Sequence, residues 1–323
     1  MKRRTIIIAA ACTALALSAA SQAQPTWPTK PIRLIFPYSA GGGGDAAARV
    51  IANGLAKQLG QPVIVDNRAG ANGRIGTEVV ARSTPDGYTV LMTAAGPITI
   101  TPNLEKVPYD PIKDLVPVGL AVSNDAVLVV HKTFPANTVK EFVELMKRSP
   151  GKYSYATAGA GGGPHLAMEL FKSRAQIQVE HIPYKGDGPA VSDVIAGHVP
   201  IGVNALSSVA PFVRSGDLKA IATMGLVRYP TLPDLPTLSE SGYPGFRGGT
   251  WLGLFAPAGT PPAVIQKLSE AMRHALQDPA TNERLIATGN TPVGDTPDEF
   301  RRFIAEESAN YARIIKSAQI KID

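Results

Sequence analysis

Two glycine-rich segments hold residues whose types and spacing suit a defined chemistry. Leu34-Ile-Phe-Pro-Tyr-Ser-Ala-Gly-Gly-Gly-Gly-Asp45 and Tyr153-Ser-Tyr-Ala-Thr-Ala-Gly-Ala-Gly-Gly-Gly-Pro-His165 each lead from a strand-like stretch through a glycine turn into a helix start. Glycine leaves the backbone unhindered, whereas a Cβ would hold a ligand oxygen away from it. The helix N-terminus that follows presents free N–H groups and the positive end of the dipole, an arrangement that suits an anion. One such turn contributes only about 0.3–2 kcal/mol from the dipole. Two turns facing each other would surround a carboxylate. Charge-assisted hydrogen bonds of about 1.5–3 kcal/mol each would then sum to micromolar binding, about −8 kcal/mol. Either turn alone also reads as a tight strand-to-helix connection; the matched pair is what favours binding.

Other chemistries fit less well. Gly41-x-Gly43-x-x-Ala46 after a strand, with Asp66 ending the next strand, has the spacing of a dinucleotide fingerprint and would make the chain a nicotinamide dehydrogenase. The second copy of the turn and the export signal described below speak against it. No Gly-x-Ser-x-Gly elbow, phosphate-binding Gly-Lys-Ser/Thr loop or His-Glu-x-x-His helix occurs. His131, His165, His181, His198 and His274 have no metal-ligand spacing, and neither metal nor cofactor is expected. His165 stands at the mouth of the second turn, where it would either donate to a bound carboxylate or cap the structure. His165 and Glu169, four apart on a helix, read as a packing or surface pair.

The elements that must position these turns alternate. Apolar runs at 32–36, 63–66 and 88–93 read as strands separated by helical patterns at 46–59 and 75–83. After the proline-rich stretch 107–117 come strands at 127–131, 153–156, 179–181 and 200–204. Helices are expected near 139–148, 164–173, 189–196 and 208–215. Such alternation implies parallel strands covered by helices on both faces. The segment 228–238, with Pro230, Pro233 and Pro236, reads as a surface loop because proline lacks an amide donor. A strand at 249–256 and helices at 261–277 and 296–317 follow. Thr296-Pro-Asp-Glu299 is a helix start, with Thr as cap, Pro in the first position and Glu three residues on. The chain should cross between two lobes near 122–125 and again near 245–250. The expected lobes are 24–123 with 248–323, and 124–247.

The chain begins with Lys2, Arg3 and Arg4, then an apolar run over 6–20 and the small residues Ser21 and Ala23, the pattern of an export signal cleaved after Ala23. Gln22, Gln24 and Pro25 end the run short of the roughly twenty residues a membrane span needs. The 32 Lys+Arg against 26 Asp+Glu give +6, and the three basic residues of residues 1–23 account for half of that surplus. A mildly basic mature chain without basic–aromatic clusters is a poor nucleic-acid binder. The single cysteine, Cys12, would leave with the signal. About 300 remaining residues exceed one typical core and suit two domains. A monomer exported to the periplasm is expected.

Ordered along the chain are Trp27-Pro-Thr-Lys-Pro-Ile, Pro37-Tyr-Ser-Ala-Gly-Gly-Gly-Gly-Asp45, Val65-Asp-Asn-Arg-Ala-Gly-Ala-Asn-Gly73 and Pro85-Asp-Gly-Tyr-Thr-Val90. Pro108-Tyr-Asp-Pro111, His181-Ile-Pro-Tyr-Lys-Gly186, Leu232-Pro-Asp-Leu-Pro-Thr237 and Phe255-Ala-Pro-Ala-Gly-Thr-Pro-Pro262 follow. In these motifs the sequence resembles the Bug family, the substrate-binding proteins of tripartite tricarboxylate transporters, over essentially its whole mature length. The resemblance implies an α/β, two-lobed periplasmic binding protein that closes on a hinge, with mainly parallel sheets flanked by helices. It implies a small organic carboxylate as ligand, a membrane permease as partner and no enzymatic activity. A sensor that feeds a membrane kinase is the alternative role. Carried onto this chain, the first turn grips a carboxylate through Tyr38, Ser39, Ala40, Gly41, Gly42 and Gly43, with Asp45 closing the motif. Thr157, Ala158, Gly159, Gly162 and Gly163 form the opposing turn, and Thr93 and Ala94 line the cleft. Thr93 reads equally as a strand-end cap. Tyr184 and Lys185 are further cleft candidates, and Arg247 reads as a surface charge or a distal anchor. Where the family commonly has an aspartate, this chain has Asn204, a neutral donor. That departure tilts the expected ligand from an amino acid towards a dicarboxylate or an aromatic acid.

Overall fold

The computed structural model describes residues 27–225, 228–229 and 231–317. The expected signal, its cleavage after Ala23 and Cys12 lie outside the described residues, as does Pro230 of the proline-rich loop. The chain starts as expected: β1 (Ile32–Phe36), α1 (Gly43–Leu59), β2 (Val63–Asn67), α2 (Arg74–Ala81) and β3 (Thr89–Thr93). β1 pairs in parallel with both β2 and β3. Gly60, at φ 68°, stops α1 with its N–H on the Ala56 carbonyl, a left-handed cap that glycine takes without strain. A π-turn (Gly96–Ile100) and the short α3 (Thr101–Leu104) follow.

β4 (Leu115–His131) departs from the expectation. The strand starts twelve residues before the expected one and contains Pro117, which in sequence terms marks a boundary. Pro117 fits because the register slips between Pro117 and Gly119, a bulge at which a missing N–H is tolerated. This strand joins the two halves of the molecule. Up to Asp125 it pairs antiparallel with β9 (Gly249–Pro257); from Ala126 it pairs with β7 (Ile201–Ala205) and β8 (Leu218–Thr223). The return crossing lies alongside, where the Ala126 N–H meets the Gly248 carbonyl and the Gly248 N–H meets that of Met224.

The second half repeats the alternation through α4 (Val139–Arg148), β5 (Ser154–Thr157), α5 (Gly163–Ala175), β6 (Glu180–Pro183), α6 (Asp187–Ala196) and α7 (Leu206–Ser215). Here β5 runs parallel to β6 and β7. Parallel pairing is thus kept to the outer parts of the sheet, where helices connect the strands. The centre, built from the crossing strands, is antiparallel. The chain returns through β9, α8 (Pro262–Gln277), α9 (Pro279–Ala287), β10 (Thr291–Pro292) and α10 (Pro297–Ser317). β8, α9 and β10 have no counterpart among the elements expected from sequence. The Thr296 cap forms as expected, its N–H and hydroxyl donating to Glu299 Oε2 at 2.8 and 2.6 Å.

Alternate β4 residues serve opposite faces. Leu128 and Val130 pack with Phe142, Tyr155 and Phe171, whereas Val127 and Val129 pack with Val191, Leu206 and Val209. A strand covered on both faces must be apolar throughout, hence the run Ala126-Val-Leu-Val-Val130. The first half is built alike, with Leu34, Val90 and Leu254 under α1 and α8, and Ile35, Leu91 and Phe255 under α10. Each such side chain contributes about 1.5–3 kcal/mol on burial, which makes the two turns rigidly mounted.

Candidate ligand-binding cleft

Each glycine turn is held by a side chain at its helix start. In the first, Asp45 accepts from the Gly41 N–H at 3.1 Å, from Arg49 Nε at 3.0 Å and from Asn67 Nδ2 at 2.9 Å. Gly41 sits at φ 87°, a conformation that glycine adopts freely. In the second, His165 Nδ1 accepts from the Gly161 N–H at 3.0 Å. The Thr157 hydroxyl donates to the Gly159 carbonyl at 3.2 Å and lies 2.7 Å from His181 Nε2. The two turns end with one geometry. Gly42 caps α1 at φ −82°, ψ 165°, and Gly162 caps α5 at φ −83°, ψ 162°; neither helix start carries a side-chain cap. Polar side chains are the usual caps, so their omission at both starts leaves backbone N–H groups available to something else, except the Gly43 N–H, which meets Ser208 Oγ.

Both starts face one cavity of about 70 Å³ between the halves. Of the expected site residues, Tyr38, Ser39, Gly42, Asp45, Ala94, Ala158, Gly162 and Gly163 line it. The others stand behind or away from it. Ala40 and Gly41 border a separate surface hollow beside Pro189 and Phe212. Gly43 is pressed against the second half, where its N–H meets Ser208 Oγ at 3.1 Å. Thr93 is fully buried, its hydroxyl facing that of Tyr38, and Thr157, Gly159 and His165 shape the second turn from within. His165 is therefore placed as a buried acceptor for its own turn and not as a donor at the mouth. The Tyr184 hydroxyl points the other way, to Asp193. Asn204 is fully buried, with Nδ2 on Asp187 Oδ1 at 2.8 Å. Arg247 lies on a hollow at the back of the crossing strands with Asp125 and Glu307.

Three polar lining residues lack a partner for a buried atom: Asn72 Nδ2 and Ser207 Oγ, both at positions that sequence reasoning missed, and Ser39 Oγ, from an expected site residue. Asn72, at φ 49°, reaches from the first half into the second turn; a Cβ on Gly159 would come 3.0 Å from its Oδ1. It belongs to the Val65–Gly73 motif, which was the available signal. Asp187, Asn124, Asn290 and Thr250 complete the polar lining, with Asn124 Nδ2 donating to Asn290 Oδ1 at 2.8 Å. A buried polar group without a partner costs about 1–3 kcal/mol, so three of them around one cavity imply a polar occupant.

The family model described as "Tripartite tricarboxylate transporter family receptor" matches residues 47–320. The chain belongs to that family. BugT of Bordetella pertussis is 38% identical over 306 residues, 94% of each chain. The periplasmic binding protein BugD superposes with a TM-score of 0.88 at 36% identity, covering 91% of this chain and 99% of its own. MatC of Rhodopseudomonas palustris, solved with bound malate, superposes with a TM-score of 0.85 at 31% identity over 90% of this chain and 100% of its own. The fold is thus that of a two-lobed periplasmic binding protein, and the tripartite transporter receptors are solute-binding proteins, not enzymes. The dehydrogenase reading fails locally too: Asp66 is bound by Arg33 Nε at 2.8 Å and paired with Arg68, so it is engaged away from the turn.

The receptor's second turn is sensitive to protons. His165 and His181 stack with ring centroids 4.0 Å apart. Burial lowers His165 to about 4 and His181 to about 2, the latter aided by repulsion from its neighbour. The unfolded chain, with histidine near 6.5, binds more protons than the folded one below that pH. The pair's contribution to stability is therefore full above about pH 6.5 and is lost as pH drops from there towards 4. Asp295 and Glu307, raised by burial to about 6 and about 7, titrate in the opposite sense over the same window, so the pair is read as a difference. The thermal midpoint of the unaltered protein minus that of His181→Gln, followed by circular dichroism, should be constant from pH 7 to 8 and shrink between pH 6.5 and 4. A difference unchanged across that window would contradict the neutral pair.

Proposed function

We propose that this receptor captures a small carboxylate between its two glycine turns, closes on it and presents it to the permease of a tripartite tricarboxylate transporter. The observation that carries this reading is the convergence of two uncapped helix starts with three unpartnered polar side chains, Ser39, Asn72 and Ser207, on one cavity. Hydroxyls, a side-chain amide and helix N-termini all donate, so the complementary occupant is an anion. Dicarboxylates or aromatic acids are the favoured ligands within that class, and malate in MatC is consistent with it. The lobes are residues 24–123 with 248–323, and 124–247, and the mature chain starts after Ala23 in the periplasm. Ligand contacts present only when the lobes meet shift the receptor to its closed form.

A thermal-shift screen of the mature protein against mono-, di- and tricarboxylates, aromatic acids, acidic amino acids and nicotinamide cofactors tests this reading. A ligand at a hundred times its dissociation constant adds about 2.7 kcal/mol, a clear rise in midpoint. A carboxylate should give that rise. Response to a nicotinamide cofactor with none to any carboxylate would overturn the proposal.

A further inference from the structure

The cavity contains a feature at odds with a site for a plain anion. Asp187, the first residue of α6, lines it from the second lobe. The first turn lies directly opposite: a Cβ on Gly42 would stand 3.6 Å from Asp187 Cβ. No lysine or arginine among the described residues lines the cavity. Asp45, the other carboxylate there, has Arg49 as counter-ion; Asp187 has only neutral donors. Asn204 Nδ2 binds its Oδ1 at 2.8 Å, and the Ser208 hydroxyl and the Ala205 N–H lie close enough to favour its charged form. Ser208 Oγ accepts the Gly43 N–H, which sets the surroundings of the acid against the first turn. A carboxylate offers about four acceptor positions, and the Asn204 bond leaves room for a donor from the cavity. Burial pushes its carboxyl above the ordinary range, as expected of a charge with no counter-ion.

We propose that Asp187 makes this cleft select a carboxylate that also bears a hydrogen-bond donor, an ammonium or a hydroxyl, beside the carboxylate held by the turns. The inference rests on the carboxylate reading above. Asn204 is then a positioning residue: its amide orients Asp187 and its own Oδ1 is left unpartnered in the protein. The departure at Asn204 that favoured a dicarboxylate or an aromatic acid is offset by an acid seventeen positions earlier in the chain, on the cavity wall. A ligand without a donor would set two carboxylates against each other in an enclosed space or force Asp187 to take up a proton, and either disfavours it at pH 7.5.

Matched ligands test the idea on the unaltered protein by titration calorimetry at pH 7.5: succinate, malate and aspartate, and glutarate, 2-hydroxyglutarate and glutamate. Within the series that binds, the donor-bearing acids should bind at least ten-fold more tightly than the parent diacid. Aspartate or glutamate ahead of the hydroxy acid identifies an ammonium partner, and the reverse order a hydroxyl. Asp187→Asn, which keeps an acceptor for Asn204, should abolish an ammonium preference and bring the parent diacid to within three-fold. Equal affinity for parent and donor-bearing acids, or a preference that persists in D187N, would overturn the role of Asp187 while leaving carboxylate binding intact. Failure of every carboxylate, in these series and in the wider screen, would overturn both.

Discussion

Gly163→Ala is expected to weaken carboxylate binding about 100-fold while leaving both lobes folded. A Cβ at this position would lie 2.1 Å from the Gly249 carbonyl oxygen, far inside contact, and 3.2 Å from Thr250 Cβ. The obstacle is backbone, at the start of β9 where it pairs with the crossing strand β4, so no side chain can turn aside. Relief comes by moving the second turn away from the start of β9, which displaces one wall of the cavity. Overpacking of this kind costs about 1–3 kcal/mol. If nearly all of it falls on the closed form, the apparent dissociation constant rises by the same factor as the closed population falls, about ten-fold per 1.4 kcal/mol. Gly216→Ala is the matched control. Gly216 ends α7 at φ 82°, and an alanine methyl there would meet nothing within 4 Å, so the substitution strains the backbone without touching the cleft. G216A should lower the unfolding midpoint and leave affinity unchanged. Calorimetric affinity of G163A within three-fold of the unaltered protein would show that the closed form does not need this contact.

The contrast between these glycines shows what a sequence can disclose. Both turns are legible because their signal is local: a strand, a run of glycine and a helix start lie within a dozen residues. The same holds for Thr296, whose partner Glu299 is three positions on. Chemistry assembled across the cleft leaves no such mark. Asn72 meets Gly159 and Gly161 from nearly ninety positions away, and Gly43 meets Ser208 from 165 positions away. No periodicity links them. Asn204 illustrates the cost of reading one position alone, because its amide is spent on Asp187, which lies outside the helix expected at 189–196 and carries no sequence signal. Pro117 reads as a break and so shortens β4 in the sequence, and only the bulge opposite β9 shows how a strand can contain it. Tyr184, aromatic and close to a glycine, suits a cleft by type; its hydroxyl has a nearer partner in Asp193, within α6.

Asp45→Ala should be the most damaging change to the first turn, lowering stability by about 2 kcal/mol at pH 7 and affinity at least ten-fold. Asp45 is 5% exposed and gathers three donors, from Gly41, Asn67 and Arg49. Alanine leaves the Gly41 N–H and the Asn67 amide without their acceptor; both are partly open to water, so each costs about 1 kcal/mol, the low end for a lost partner. Arg49 adds little, since half of its side chain is in water and such pairs are worth about 0–1 kcal/mol. Asn67 also donates to the Tyr38 carbonyl, so its release loosens the turn from a second side. The pH dependence separates this account from simple loss of packing. Burial opposes ionisation of Asp45, but the bonds from Arg49, Asn67 and Gly41 outweigh it and hold the carboxyl below the usual range. A depressed carboxyl stabilises the fold above the unfolded value, about 3.9, and that share is lost as pH falls through its folded value. Urea unfolding should therefore show a wide gap between the unaltered protein and D45A at pH 7 that narrows towards pH 3. Asp45→Asn, which keeps one acceptor oxygen but loses the charge, should fall between them at pH 7. A gap that stays constant down to pH 3 would mean that the side chain acts by filling space, and the first turn would then owe its shape to glycine alone.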